Sequence, residues 1–120
     1  MLGFGFVVIR QSEANASYEN RSPFAEWDVS LGGTEWIDQL VAAGKAIGLG
    51  GDGYPLTYAA AASTLIETLR YGPPKYDGPP VVGDDYAHPS GWVGNSKINL
   101  EALKALDPGE ILLVEAWDLS

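Results

Sequence analysis

The sequence contains no cysteine and a single histidine, and its basic residues are outnumbered, seven Lys and Arg against sixteen Asp and Glu. Missing cysteine excludes disulfide scaffolds, thiolate zinc sites and thiol nucleophiles together. One histidine, His88, cannot make a histidine cluster around a metal, and any Ser-His-Asp triad would have to use it. Its acidic and hydroxyl neighbours Asp84, Asp85 and Ser90 are close in sequence, whereas a triad draws its members from separate elements. His88 is therefore read as a surface or loop-ordering residue. Long apolar runs are also lacking: nothing approaches about 18 uninterrupted apolar residues, so no membrane span is expected. Met1 to Arg10 is apolar, but no basic segment precedes it, two glycines break it, and no small-residue cleavage pattern follows promptly. That is not the form of a signal peptide. Asn15-Ala16-Ser17 and Asn20-Arg21-Ser22 match the glycosylation pattern, which has no meaning without secretion. The expected location is the cytoplasm.

What is present belongs to a folded protein. The 120 residues are 46% hydrophobic and 19% charged, enough apolar mass to offset the ordering entropy of one domain spanning 1–120. Four Trp, six Tyr and three Phe supply large side chains for a core or an interface. The net charge of −9 repels nucleic acid and anionic lipid and speeds encounter with a basic partner. Acidity also serves plain solubility, and the acids are spread along the chain and not gathered in a tail.

Periodicity divides the chain into strands and helices. Leu2 to Ile9 starts as apolar residues alternating with glycine and becomes wholly apolar, the pattern of a buried strand. Gln11 to Pro23 is a polar loop. Trp27, Val29 and Leu31 alternate with Asp28 and Ser30 as a short half-buried strand. Thr34 is the expected N-cap of a helix over 35–47, whose stripe is Trp36, Ile37, Leu40, Val41, Gly44 and Ile47, with Gly48 as its stop. Residues 48–53 are expected to form a glycine-rich turn. Residues 54–62 fit a strand or a helix; a strand is preferred, with a helix beginning near Thr64, where Thr64 and Glu67 fit a capping box. Gly72-Pro73-Pro74 and Gly78-Pro79-Pro80 enclose a stiff extended arm, and 84–95 continues irregularly. Asn99 caps a short helix over 100–106. Glu110 to Trp117 closes as a strand, with Ile111, Leu113, Glu115 and Trp117 on one face and Leu112, Val114 and Ala116 on the other. The expected fold class is α+β, a small β-sheet with two to three helices packed against it and a long Pro/Gly-rich irregular insert.

Three motifs carry possible chemistry. Gly48-Leu49-Gly50-Gly51-Asp52-Gly53 spells the dinucleotide pattern in letters, but it follows a helix where the chemistry needs a strand before it and a helix after it. Asp84-Asp85 would need further oxygen ligands from elsewhere to hold a divalent cation, and is read as a loop-capping or solvated pair. The proline arm has the composition of a ligand for aromatic grooves, although such ligands lie in disordered tails. None of these motifs calls for a cofactor or a metal. Stiff loops bearing aromatics do contact partners at low entropic cost. The candidate partner-binding residues are Glu26, Asp28, Tyr76, Asp77, Asp84, Asp85, Tyr86 and Trp92, acids to steer and rings to anchor. The surplus charge and these rings are expected to share one face.

Tyr71-Gly72-Pro73-Pro74, Gly83-Asp84-Asp85-Tyr86, Gly91-Trp92-Val93-Gly94, Ile98 to Leu103 and Glu115 to Ser120 together resemble the second half of bacterial polymorphic-toxin immunity proteins. The resemblance covers residues 53–120. It implies a small cytosolic protein, encoded beside a secreted toxin, that binds and blocks that toxin. Two other classes compete with this expectation. A nucleic-acid mimic inhibiting a DNA- or RNA-binding protein would cluster its carboxylates at phosphate-like spacing, and a small hydrolase would need a deep pocket around His88 or Asp84-Asp85.

Overall fold

The computed structural model describes residues 3–30, 32–74, 81–82, 87–88 and 93–119. Strands β1 (Phe4–Arg10) and β2 (Ala25–Val29) precede helix α1 (Glu35–Ala42). Strands β3 (Ala46–Gly51) and β4 (Leu56–Ala61) then lead into α2 (Ala62–Leu69). Two-residue strands β5 (Val81–Val82) and β6 (Ala87–His88) pair only with each other. Strand β7 (Val93–Ile98), helix α3 (Leu100–Lys104) and strand β8 (Ile111–Asp118) complete the order. The main sheet has six strands in the order β3-β4-β8-β1-β2-β7, every neighbouring pair antiparallel. Three helices pack on it, and the α+β class follows.

Alternation decides which side chains go inside. Phe6 lies opposite both Trp27 and Ala116, and Val8 opposite Val114, so Phe6, Val8, Trp27, Val114 and Ala116 point to one face. Ile37 of α1, Leu65 and Leu69 of α2 and Leu103 of α3 join these residues in one buried core. Burying each such side chain stabilises the fold by about 1.5–3 kcal/mol. At its centre Phe6, Trp27 and Trp36 meet pairwise, their ring centroids 5.2 to 5.6 Å apart. No helix among the described residues is long and apolar enough to cross a membrane.

Several expectations are corrected. The helix expected over 35–47 ends at Ala42, because Gly44 adopts φ 75° and lets the Lys45 amide return to the Leu40 carbonyl at 2.8 Å. Thr34 stands at the N-cap position with helical φ and ψ and makes no side-chain cap hydrogen bond. The six residues Ala46–Gly51 form β3, so most of the expected glycine-rich turn is strand, paired along β4 with a bulge between Gly48 and Gly50. Gly51 sits at φ 123°, and a Cβ there would overlap the Pro55 carbonyl oxygen, so only glycine fits. Residues 93–95, expected to be irregular, belong to β7, which pairs with β2.

The strand-then-helix reading of 54–69 holds, but the helix starts at Ala62, not at Thr64. Its first amides are satisfied by backbone: Ala62 donates to the Glu110 carbonyl at 2.8 Å and Ser63 to the Pro108 carbonyl at 3.0 Å. The turn before β8 thus does the work expected of a side-chain cap. Most of the Pro/Gly-rich insert lies outside the described residues.

Candidate functional site

Helices α1, α2 and α3 pack their buried side chains against one face of the sheet, and the other face is built differently. In β2 the buried residues Ala25, Trp27 and Val29 alternate with Glu26 and Asp28, which therefore point to the opposite side. Register brings Gly5 of β1 beside Asp28, Val7 beside Glu26, and Glu115 of β8 beside Val7. Trp117 lies across from Gly5 on the same side, with 36% of its surface exposed. A cleft of about 530 Å³ opens here, with Glu26, Asp28, Asn95, Lys97 and Trp117 among its lining residues.

Each polar group in the cleft has an identifiable origin. The register between β2 and β7 shifts between Glu26 and Asp28, and within that irregularity Asn95 adopts φ 51°. A left-handed conformation suits Asn better than most residues. It brings the Asn95 amide Nδ2 to donate to Asp28 Oδ2 at 2.8 Å. Lys97 lies opposite Glu26 in the ladder. Two carboxylates thus share the cleft with one ammonium.

The loop between β1 and β2 folds over part of the same face. Arg21 donates through Nη1 to Glu115 Oε1 and through Nη2 to Glu115 Oε2, and its Nε and Nη2 also reach the Ala16 and Ala14 carbonyls. Trp117 Nε1 donates to Glu115 Oε1 at 3.3 Å, which holds the indole beside the ion pair. A second hollow of about 370 Å³ is lined by Val7, Ala16, Arg21 and Trp117. The ring of Trp117 therefore separates a polar cleft from an apolar one.

Of the residues proposed from sequence, Glu26 and Asp28 are brought together on this face. Tyr76, Asp77, Asp84, Asp85, Tyr86 and Trp92 lie outside the described residues. Trp117, Lys97 and Asn95 were not singled out for binding, although alternation along β8 already placed Glu115 and Trp117 on one side. Arg21 had no comparable signal, because a loop residue's distant partner leaves no periodic trace.

Among the described residues no group of three or more acidic or histidine side chains is arranged to hold a metal. The dinucleotide-like glycines lie in β3 and the turn after it, which leads to β4 and not to a helix. The cleft offers carboxylates, an ammonium, an amide and an indole. Comparison with known protein families, curated proteins and solved structures finds no match to this chain.

Proposed function

We propose that this chain is an immunity-type binding protein, which neutralises a basic protein, a cognate bacterial toxin, by forming a direct complex with it. The observation that supports this reading is the pairing of Glu26 and Asp28 with the partly exposed ring of Trp117 on the sheet face opposite α1, α2 and α3, in a chain of net charge −9. Carboxylates steer a positive partner and raise the association rate, while a desolvated indole contributes most of its effect to residence time. A toxin that acts inside cells would require its inhibitor in the cytoplasm. Neither nucleic acid nor a membrane is a partner in this reading.

The test starts with the proteins encoded on either side of this chain's gene, purified and titrated against it. Trp117→Ala should weaken the complex by about tenfold or more, mainly through faster dissociation. Glu26→Gln with Asp28→Asn should slow association and flatten its salt dependence. Affinity and rates that stay unchanged in both variants would remove this face of the sheet from the interface.

A further inference from the structure

The two edges of the sheet are guarded unequally. Both edge strands carry a bulge, but β7 at one end also presents Asn95, Ser96 and the charged Lys97, residues that discourage unwanted pairing. Strand β3 at the other end reads Ala-Ile-Gly-Leu-Gly-Gly and has no charge within its six residues. Ile47 is 64% exposed and Leu49 is 56% exposed. Among the described residues only β4 pairs with β3, so one row of its backbone donors and acceptors faces outward.

We propose that this edge is a dimer interface, at which a second copy of the chain adds its own β3 antiparallel and continues the sheet. The charges flanking the strand select this occupant. When Ala46 is set opposite Gly51 of the second copy, Lys45 of each copy comes opposite Asp52 of the other, once at either end. Both pairs fall on one face. Ala46 and Gly51 lie across β4 from Ala60 and Leu56, on the core side, so Lys45 and Asp52 both follow on the other side. The bulge makes this parity possible, because its extra residue shifts one half of the strand by one step.

Side-chain size agrees with the same register. Ile47 comes opposite Gly50, and Leu49 opposite Gly48. A Cβ added to Gly48 or to Gly50 would meet nothing within 4 Å, so each glycine leaves room for the large residue across from it. The net charge of −9 on each copy opposes association. Charges beyond about 8 Å are largely screened at physiological salt, so the local Lys45 and Asp52 pairs decide the sign at the edge. The Glu26 and Asp28 cleft lies toward the opposite end of the sheet and stays open in such a dimer.

Sedimentation velocity across the micromolar to sub-millimolar range tests the proposal. Wild type should pass reversibly from monomer to dimer, and Leu49→Lys should remain monomeric. Lys45→Glu and Asp52→Lys, each alone, should weaken the dimer by about tenfold. An equimolar mixture of these two variants should recover dimer of near wild-type strength, because each mismatched end is then matched. Misfolded variants could not be rescued by mixing, so recovery also reports intact folds. A wild type that stays monomeric throughout, a dimer untouched by Leu49→Lys, or a mixture that fails to recover would each overturn it.

Discussion

Arg21 and Glu115 stand 94 residues apart in sequence and meet as a two-pronged ion pair whose side chains are only 10% and 6% exposed. The guanidinium is further held by two loop carbonyls, and the carboxylate by the Trp117 indole. Such a pair stabilises little over an apolar replacement, but breaking it leaves a buried charge alone.

Arg21→Met should therefore cost about 3–5 kcal/mol, read from urea unfolding. Adding Glu115→Leu should return most of that loss, because no charge is then stranded. A single-variant cost below about 1 kcal/mol would mean that the pair behaves as an exposed one.

Tyr58 should titrate late. Burial holds its phenol above the ordinary value of 10.0, and the Asp38 carboxylate adds to the shift through its charge and a hydrogen bond. The folded state then keeps the proton where the unfolded chain has lost it. This contribution to stability is complete below pH 10.0 and fades as pH rises through the folded value. An ultraviolet titration of tyrosinate should show Tyr58 ionising late, and Asp38→Asn should move it partway back.

Leu65→Ala and Ile47→Ala should differ sharply although both remove aliphatic side chains. Leu65 is fully buried, and its loss should cost about 2–5 kcal/mol in urea unfolding. Ile47 is 64% exposed, so its truncation should stay within about 0.5 kcal/mol when measured on the monomer. Equal costs would return Ile47 to the core, where helical spacing had placed it.

Asn99 accepts a hydrogen bond from the Ala102 amide at 3.1 Å, capping α3. Asn99→Ala should cost about 1 kcal/mol, and Asn99→Asp should retain most of the stability. Thr34→Ala should cost less than Asn99→Ala, since Thr34 makes no such bond.

Where one strong period governed a segment, the sequence was legible. Residues 111–117 are an unbroken, almost wholly apolar run, and the simple alternation of side chains along a strand assigned both faces of β8. The capped helix at Asn99 was equally plain, since cap and stripe agree. Helix α1 was overextended because Gly44 and Gly48 are both possible stops and Ile47 suits either a helical stripe or a strand. Only the pairing of β3 with β4 decides between them, and pairing is not local. At the candidate site Asp28 followed from period two and Glu26 was proposed for its charge alone, whereas Arg21, Asn95 and Lys97 depend on register and a bulge, which no short window of sequence contains.

Strand β8 lies third in the sheet although it is the latest of the six along the chain. Within the sheet, β3 and β4 on one flank bond to β1, β2 and β7 on the other only through it. Assembly must therefore wait for a segment made after both flanks, and the entropy of closing such long loops slows the crossing to the folded state. Until then two half-sheets stand with inner edges bare, one row of unpaired amides and carbonyls on each. A nascent chain of this protein is most exposed to wrong pairing in that interval, just before its central strand arrives.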